Sequence, residues 1–395
     1  MTRTDRDTRP GIASLPFRLV MAATLLGFAG YSLLLPVVPL WTARGGSGEL
    51  GAGATTGVLM LATVATQLAV PWMITRAGHR AVLVAGLVLL GAPSPLLVLS
   101  ADLLPVLAVS TVRGIGFGML TVVGSALVAE LVAPAEHGRA AARYGVAVGA
   151  PQLALLPAGV AVVEAVGFPV VFLAAGITPL LGAVLALGVR PPAGRRPAGT
   201  AERRARGLGR AAAGPVLAMI VCATAQGGLV TFLPLAAPGT GAAIPAALFG
   251  TAAGAIAGRL VAGRLVDRRG MGGRLLLPGV LLTAAGMATE IAAVAADPAR
   301  PALLVTGAVV VGLGFGLVQN DSLTALFAAA GTARYGAASA AWNIAYDAGT
   351  GIGAVGLGAL AQPFGFATAF GAAAVLLVLV APVTRGAVPG AGRAR

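Results

Sequence analysis

Four ionisable side chains interrupt long apolar stretches of this sequence: Arg113, Arg259, Asp321 and Asp347. Placing such a group inside a membrane helix costs roughly 2.5 to 3.5 kcal/mol on insertion scales, so each one is a candidate for function. A carboxylate removed from water binds a proton more readily, because burial disfavours its charged form. Asp347 or Asp321 could therefore take up and release a proton, with Arg113 as counter-charge or substrate partner. A static buried ion pair is the alternative. We expect Arg259 to extend its guanidinium toward the lipid headgroups.

The elements that must position these residues are long apolar segments. Hydrophobic residues make up 57% of the 395 residues, charged residues make up 10%, and the mean hydropathy is +0.92, unlike a soluble protein. Crossing the hydrocarbon core of a bilayer takes about 20 apolar residues as a helix, since every backbone polar group must be paired within the segment. We number the segments that meet this length spans 1 to 12; they cover residues 17–41, 52–75, 80–99, 103–129, 140–166, 168–189, 212–236, 244–266, 274–296, 301–329, 335–361 and 364–384.

The two halves of the chain repeat each other. Gly114-Ile-Gly-Phe-Gly118 recurs as Gly312-Leu-Gly-Phe-Gly316, 198 residues later, and Arg143-Tyr-Gly145 recurs as Arg334-Tyr-Gly336, 191 residues later. A repeat at a nearly fixed offset indicates a duplicated unit, and parallel duplication of a six-helix unit is one architecture of secondary transporters. The predicted fold class is an all-α membrane protein in which twelve transmembrane helices form two pseudo-symmetric six-helix bundles. We expect the repeated glycines to pack helices together.

The arginines predict the orientation of the chain. The sequence has no lysine, and its net charge of +14 comes from arginine alone. With the amino terminus inside, 23 of the 27 arginines lie in or beside cytoplasmic segments, as the positive-inside rule expects. We predict an N-terminal bundle at residues 1–189, a cytoplasmic arginine-rich linker at 190–211 and a C-terminal bundle at 212–395, with both termini in the cytoplasm. Arginine in place of lysine, with abundant alanine, suggests a bacterial gene and hence a bacterial inner (plasma) membrane.

The buried charges do not follow the repeat. The positions equivalent to Asp347, Asp321 and Arg113 are occupied by Leu156, Val123 and Val311. Charges that occur in only one half of a duplicated structure favour a role in binding or coupling. Sequence drift after the duplication would also produce this difference between the halves. Glu164 and Glu290 lie near the outer ends of their spans, where we expect water to reach them.

The most specific motif lies between spans 8 and 9: Gly263-Arg-Leu-Val-Asp267-Arg268-Arg269-Gly270, with Arg274 following. It is similar to the GxxxDRxGRR loop signature of the major facilitator superfamily. The equivalent loop in the first half keeps Arg76, Gly78 and Arg80 but has Thr75 in place of the acid. Over essentially its whole length the chain resembles the twelve-helix drug/proton antiporter-like exporters of that superfamily.

This resemblance implies a central cavity lined by spans 1, 4, 7 and 10. The expected lining residues are Tyr31, Gln226, Thr231, Phe232, Gln319, Asn320 and Asn343. We also expect a latch in which Asp267 faces the positive end of a helix in the other half, with a solvated loop as the alternative. The gating residues would be Gly263, Asp267, Arg268, Gly270, Arg76, Gly78 and Arg80.

The predicted function is proton-coupled export of a small amphipathic organic compound by alternating access. Span 5 lacks the adjoining Gly-Pro and the final Gly-Gly of the exporter motif, so uptake or uniport of a metabolite is the alternative.

A membrane-embedded enzyme and a non-transporting receptor are more remote alternatives. With His79 and His137 the only histidines and Cys222 the only cysteine, the sequence indicates no metal or nucleophilic centre. We therefore expect no enzyme activity, metal or cofactor. The expected partners are a small organic substrate, protons and the lipid bilayer, not nucleic acid, and the expected assembly is a monomer.

Overall fold

The structure is a computed structural model, and it describes residues 11–133, 136–189, 210–296, 298–330 and 335–384. The described residues are almost entirely helical and include no strand. Residues 190–209 of the predicted linker lie outside the described residues, as do Arg334 and the chain from residue 385 onward. The limits of the predicted bundles at residues 189 and 212 therefore stay predictions.

The described residues form twelve helices long enough, alone or with a short continuation, to cross a membrane. The first bundle contains α1 (Leu15–Leu34, continued by Val37–Thr42), α2 (48–77), α3 (79–91, continued by the turn Ser94–Leu99), α4 (Leu103–Leu131), α5 (His137–Val166) and α6 (Phe168–Leu187). The second bundle contains α7 (Ala213–Ala236), α8 (Ala243–Arg269), α9 (Leu276–Val294), α10 (Pro301–Ala330), α11 (335–364) and α12 (366–384). Shorter helical turns lie at Ala43–Ser47 and Arg210–Ala212.

Two glycines divide helices that otherwise run on. Gly78, with φ of 79°, separates α2 from α3, and Gly365, with φ of 78°, separates α11 from α12. A side chain would be strained at such a φ, so glycine lets the chain reverse without a loop. The described residues contain nine continuous apolar stretches. Leu15–Leu99 makes three crossings, because it is divided at the Ala43–Ser47 turn and again at Gly78, and Gly336–Thr384 makes two, because it is divided at Gly365.

The repeated Gly-x-Gly-Phe-Gly segments pack helices against each other through backbone atoms. A Cβ atom at Gly114 or Gly118 of α4 would collide with carbonyl oxygens of α2. One at Gly312 or Gly316 of α10 would collide with carbonyl oxygens of α8. Small residues permit this approach where lipid supplies no hydrophobic drive between helices. The prediction that these segments serve helix packing is confirmed.

The two bundles share an apolar core near one end and also meet at mid-depth. We call the end with the α2–α3, α4–α5 and α8–α9 loops the Arg-rich end, and the end with Arg44 and Arg300 the opposite end. One apolar core joins the first bundle to the second near the opposite end, through residues such as Val38 of the first bundle and Phe232 of the second. At the Arg-rich end, an added Cβ at Gly145 or Gly336 would meet nothing within 4 Å. The described part of the molecule is thus closed at the opposite end and open at the Arg-rich end.

Candidate functional site

A hydrogen bond between the two bundles lies at the centre of the site. Nε2 of Gln67 in α2 donates to Oδ2 of Asp347 in α11 over 2.6 Å, and it reaches Oγ1 of Thr121 in α4 at 3.3 Å. Asp347 is only 3% exposed and Gln67 only 6%, so water does not replace this bond. A buried carboxylate is costly unless it is hydrogen-bonded, and bonds to a charged acceptor are among the stronger ones. The partner that satisfies Asp347 comes from the other bundle.

Arg113 in α4 is buried but unpaired. Its side chain is 2% exposed, its Nε has no hydrogen-bond partner, and no acid among the described residues lies within ion-pair distance. It interacts electrostatically with Tyr31 of α1, whose ring stacks on that of Phe117 at 4.0 Å between centroids. A cavity of about 10 Å³, room for about one water molecule, lies beside Arg113 and is also lined by Thr55 and Ser110. Arg113 therefore borders a small polar space within the first bundle.

Arg259 in α8 has a similar environment in the second bundle. Its Nε atom is buried, has no hydrogen-bond partner, and the described acids form no ion pair with its side chain. Its electrostatic neighbour is Tyr346, which precedes Asp347 in α11. The prediction that Arg259 extends to the lipid headgroups stays a prediction, because Nε is buried while the residue as a whole is partly exposed.

These residues form one group, the central polar cluster, which consists of Tyr31, Gln67, Arg113, Arg259, Tyr346 and Asp347. Tyr31 lies near Arg113, Tyr346 and Asp347, and Tyr346 lies near Asp347 and Arg259. The two tyrosines thus lie near both the arginine of one bundle and the arginine of the other. With two guanidinium groups and one carboxyl group, the cluster carries more positive than negative charge.

Aromatic side chains surround the second-bundle part of this cluster. The ring of Tyr346 lies 5.8 Å from that of Phe315 and 6.2 Å from that of Trp342, between centroids. Nε1 of Trp342 donates to Oγ of Ser322 over 3.0 Å, which fixes the orientation of the indole. Aromatic surface with a few convergent polar groups is typical of small-molecule sites.

The sequence model of the Major Facilitator Superfamily matches residues 20–354. The chain belongs to this superfamily. A crystal structure of a bacterial homolog to the human lysosomal transporter Spinster, in an inward-facing and occupied conformation, has a TM-score of 0.75 at 15% identity, over 94% of this chain and 96% of that one. A POT family transporter in complex with 5-aminolevulinic acid has a TM-score of 0.77 at 13% identity, over 93% of this chain and 94% of that one.

No curated protein sequence matches the chain. The superfamily match and these structural neighbours make the protein a multi-pass membrane transporter rather than an enzyme. Its fold is that of the superfamily, as the sequence predicted.

Five of the predicted lining residues are buried or partly buried. Tyr31 belongs to the central polar cluster. Gln319 in α10 is buried, and its Oε1 has no hydrogen-bond partner among the described residues. Gln226 in α7 is also buried, whereas Asn320 and Asn343 are partly buried. Whether these side chains contact substrate stays a prediction.

Thr231 and Phe232 do not line the central polar cluster in this structure. The Thr231 hydroxyl donates to the carbonyl oxygen of Gly227 in its own helix, over 2.7 Å. The Phe232 ring lies between α2 and α11, against Gly53 and Gly358. Both side chains are fully buried, and Phe232 fills the seam that closes the opposite end. In this arrangement of the bundles this part of α7 faces the seam, and whether Thr231 and Phe232 contact substrate stays a prediction.

Asp321 in α10 has an environment unlike that of Asp347. Its two carboxylate oxygens accept hydrogen bonds from the backbone N–H groups of Gly273 and Leu275, each over 2.7 Å. Those amides lie in the chain that leads from α8 into α9, and the Asp321 side chain is fully buried. Asp321 therefore anchors the end of the signature loop to α10. This geometry favours a structural role for Asp321 over proton transfer.

The equivalent loop of the first bundle is held by side chains instead. Nε2 of His79 lies 3.3 Å from Oε1 of Glu130 in α4, and the Arg76 guanidinium lies over the Trp72 ring at 4.4 Å. The two loops thus occupy equivalent positions but use different anchors, because Val123 stands where the second half has Asp321.

The predicted gating residues all lie at the Arg-rich end. Gly78 and Gly270 have positive φ, the latter with φ of 60° where α8 ends, and Gly263 faces α10. Asp267 is exposed and forms no ion pair with a described residue. Arg80 and Arg268 are likewise exposed or nearly so. Because the bundles are apart at this end, the structure does not test the predicted latch.

Glu290 in α9 differs most from its prediction. The sequence predicts a solvated side chain, whereas the structure leaves it 0% exposed, and neither carboxylate oxygen has a hydrogen-bond partner in the described part of the chain. The carboxyl group lies against Gly307 of α10, where the missing side chain leaves room. The prediction was wrong because α10 covers this face of α9. Glu164, by contrast, is exposed as predicted.

Two site residues were missed by the sequence analysis. Gln67 is the only amide side chain in span 2, which was a usable signal, but its partner Asp347 lies 280 residues away. Tyr346 carried no signal of its own in the sequence, and the structure places it near Asp347 and Arg259.

Proposed function

We propose that this transporter exports a small amphipathic organic compound in exchange for protons, as in the drug/proton antiporters that its sequence resembles, and that Asp347 carries the proton. The observation that supports this proposal most directly is the Gln67–Asp347 hydrogen bond. It joins the two bundles about 18 Å along α11, at 1.5 Å per residue, which is near the middle of a bilayer.

Proton binding would change the strength of this contact. A charged carboxylate holds an amide N–H more tightly than a neutral acid does. Ionised Asp347 thus holds α11 against Gln67 of α2, and protonation loosens that contact. Near the same seam, Gly53 packs on the backbone of Ala354 and Gly57 packs on Val355, so glycines bring α2 and α11 close together beside this bond. A proton at Asp347 is thereby linked to the alternation between open ends.

We place the Arg-rich end in the cytoplasm of a bacterial cell, with both termini inside and the protein in the plasma membrane. The arginine distribution supports this orientation, and the inward-facing Spinster homolog shares the fold. The structure is then open to the cytoplasm, and a monomer is sufficient for alternating access by the bundles at 1–189 and 212–395.

Asp267 and Arg268 would close the cytoplasmic side when the bundles meet there. Both are exposed in the open arrangement and free to find partners on the other bundle. Asp267→Asn should slow turnover without abolishing substrate binding, and normal transport rates in that variant would exclude the latch.

The test of Asp347 begins with a compound found by screening. Toxic organic compounds are compared for accumulation in cells with and without the transporter, and a compound that differs is then used in liposomes. Asp347→Asn should retain counterflow, which needs no proton gradient, but lose uptake driven by an imposed pH gradient. Glu164→Gln, which neutralises an exposed acid, is the control and should behave as the wild type. Unchanged gradient-driven uptake in Asp347→Asn would rule out Asp347 as the proton carrier.

Uptake by proton cotransport is the second candidate. The excess positive charge of the central polar cluster favours it, because a protonated Asp347 would leave the charge of Arg113 and Arg259 free for a substrate. The sign of the substrate flux under an inward proton gradient decides between the two.

A further inference from the structure

We propose that the transported compound is an organic anion, whose acidic group binds between Arg113 of the first bundle and Arg259 of the second. This inference rests on the proposed transport function and adds the charge of the substrate to it. It follows from the burial, the missing partners and the positions of the two guanidinium groups.

Arg113 is the stronger of the two observations. A guanidinium removed from water is costly unless a carboxylate or several acceptors compensate it. Arg113 is 2% exposed, its Nε is unsatisfied, and none of the described acids pairs with it. It also borders a small cavity of about 10 Å³, which Thr55, Thr56 and Ser110 line together with it. A charge kept in a membrane helix at such cost is expected to have a function.

Arg259 shows part of the same pattern in the other bundle. The residue is partly exposed, but its Nε is buried and unsatisfied within the described structure, and it lies near Tyr346. Tyr346 in turn is in range of Tyr31, which is in range of Arg113. The two arginines therefore approach one central region from α4 and α8, and a single ligand group held by both would bridge the bundles.

The acids nearby do not neutralise these arginines. Asp347 is bonded to Gln67, and neither Arg113 nor Arg259 forms an ion pair with it. The carboxylate of Asp321 accepts hydrogen bonds from the loop amides of Gly273 and Leu275. An incoming carboxylate, phosphate or sulfonate would supply the missing negative charge, and guanidinium groups bind such planar or multidentate oxyanions well.

The rest of the surroundings indicates an apolar body for this anion. Tyr31 stacks on Phe117 in the first bundle, and Trp342, Tyr346 and Phe315 form an aromatic group in the second. An acidic head between the arginines would place an aromatic or aliphatic body against these rings. A cationic amphiphile would instead meet two positive charges and one occupied carboxylate.

The first experiment compares ligands on the unmodified protein. Purified full-length transporter is titrated with matched sets that share one body, naphthalene, indole or a ten-carbon chain, and carry a carboxylate, a carboxamide or an ammonium group. Binding is followed by tryptophan fluorescence and by the melting temperature. At least one carboxylate should bind with a Kd at least tenfold lower than that of its amide. The proposal is overturned if no carboxylate binds better than its amide, or if an ammonium compound binds best.

The second experiment locates the binding groups. Arg113→Gln and Arg259→Gln should each raise the Kd of the best carboxylate by about ten- to a hundredfold, the range for a lost hydrogen bond to a charged group. Arg113→Lys and Arg259→Lys keep the charge and should lose less. Arg300→Gln makes the same charge change at an exposed site of the opposite end and should bind as the wild type. Unaltered affinity in both Gln variants would refute the assignment. If a Gln variant does not fold, the Lys variant and the ligand comparison decide.

Failure of this inference differs from failure of the proposed function. Gradient-driven transport of neutral or cationic compounds, lost in Asp347→Asn, would retain the proposed function and reject the anion. Tight carboxylate binding that depends on Arg113 and Arg259, without any transport in liposomes, would support the anion site and reject the proposed transport function.

Discussion

Removing the amide of Gln67 is the most direct test of how the two bundles are linked. In the structure this amide gives Asp347 its only side-chain hydrogen bond within the described residues, across the α2–α11 seam. A hydrogen bond to a charged, buried group contributes about 1.5 to 3 kcal/mol. If the bond is specific to the arrangement open at the Arg-rich end, Gln67→Ala should shift the equilibrium away from that arrangement by roughly 10- to 150-fold.

The equilibrium can be followed as a distance between spin labels. Cys222 is the only cysteine and is buried, so Cys222→Ala supplies a background for cysteines at positions 142 and 264. These positions are exposed on α5 and α8 at the Arg-rich end. Gln67→Ala should enrich the short-distance population, in which that end is closed. The control is Gln152→Ala, which removes an amide bonded only to its own helix, at Val148.

The reasoning has a second requirement, because the two residues act as a pair. In an Asp347→Asn background, Gln67→Ala should change the distance distribution much less than it does alone, since the charge-assisted bond is already gone. Equal effects in the two backgrounds, or an unchanged distribution in Gln67→Ala, would refute the idea that this bond holds the bundles.

Three further predictions concern packing and burial. Gly312→Ala should lower stability by about 1 to 3 kcal/mol, because its Cβ would collide with the α8 backbone, whereas Gly356→Ala has free space and should be neutral in thermal unfolding. Asp321→Ala leaves two buried amides without an acceptor, which should lower the free energy of unfolding by about 1 to 3 kcal/mol for each amide. Limited proteolysis should then cut the α8–α9 loop faster, and an unchanged cleavage rate would contradict the anchor. Glu290→Gln should melt no lower than the wild type and transport normally, because the carboxyl group has no described partner to lose; a clear loss of stability would point to an unseen partner.

The fold could be predicted from the sequence because the bilayer restricts the structures that a chain can adopt inside it. Segment length, the glycine repeat and the arginine pattern together predicted helix number, duplication and packing. The Gly-x-Gly-Phe-Gly segments behave as predicted since backbone contact depends only on small residues at a fixed spacing. The same local signals identified Asp347 and Arg113 as buried groups.

The remaining assignments depended on the rotation and depth of each helix, which no local signal encodes. Glu290 is buried because α10 presents Gly307 to it, and Phe232 fills a seam because α2 and α11 present Gly53 and Gly358. Each of these contacts joins residues from different helices, so the side chain's type alone did not reveal its neighbour.

The backbone contact of α4 with α2, and of α10 with α8, has a mechanical consequence. Where carbonyl oxygens meet glycines, there are no side-chain rotamers to rearrange, so the paired helices cannot adjust to strain by repacking. Free energy from ligand or proton binding then does not deform either bundle. It instead moves one bundle relative to the other at the surface where they face each other. Stiffness within each half is what allows a change of one bond at mid-depth to move a gate some 18 Å away.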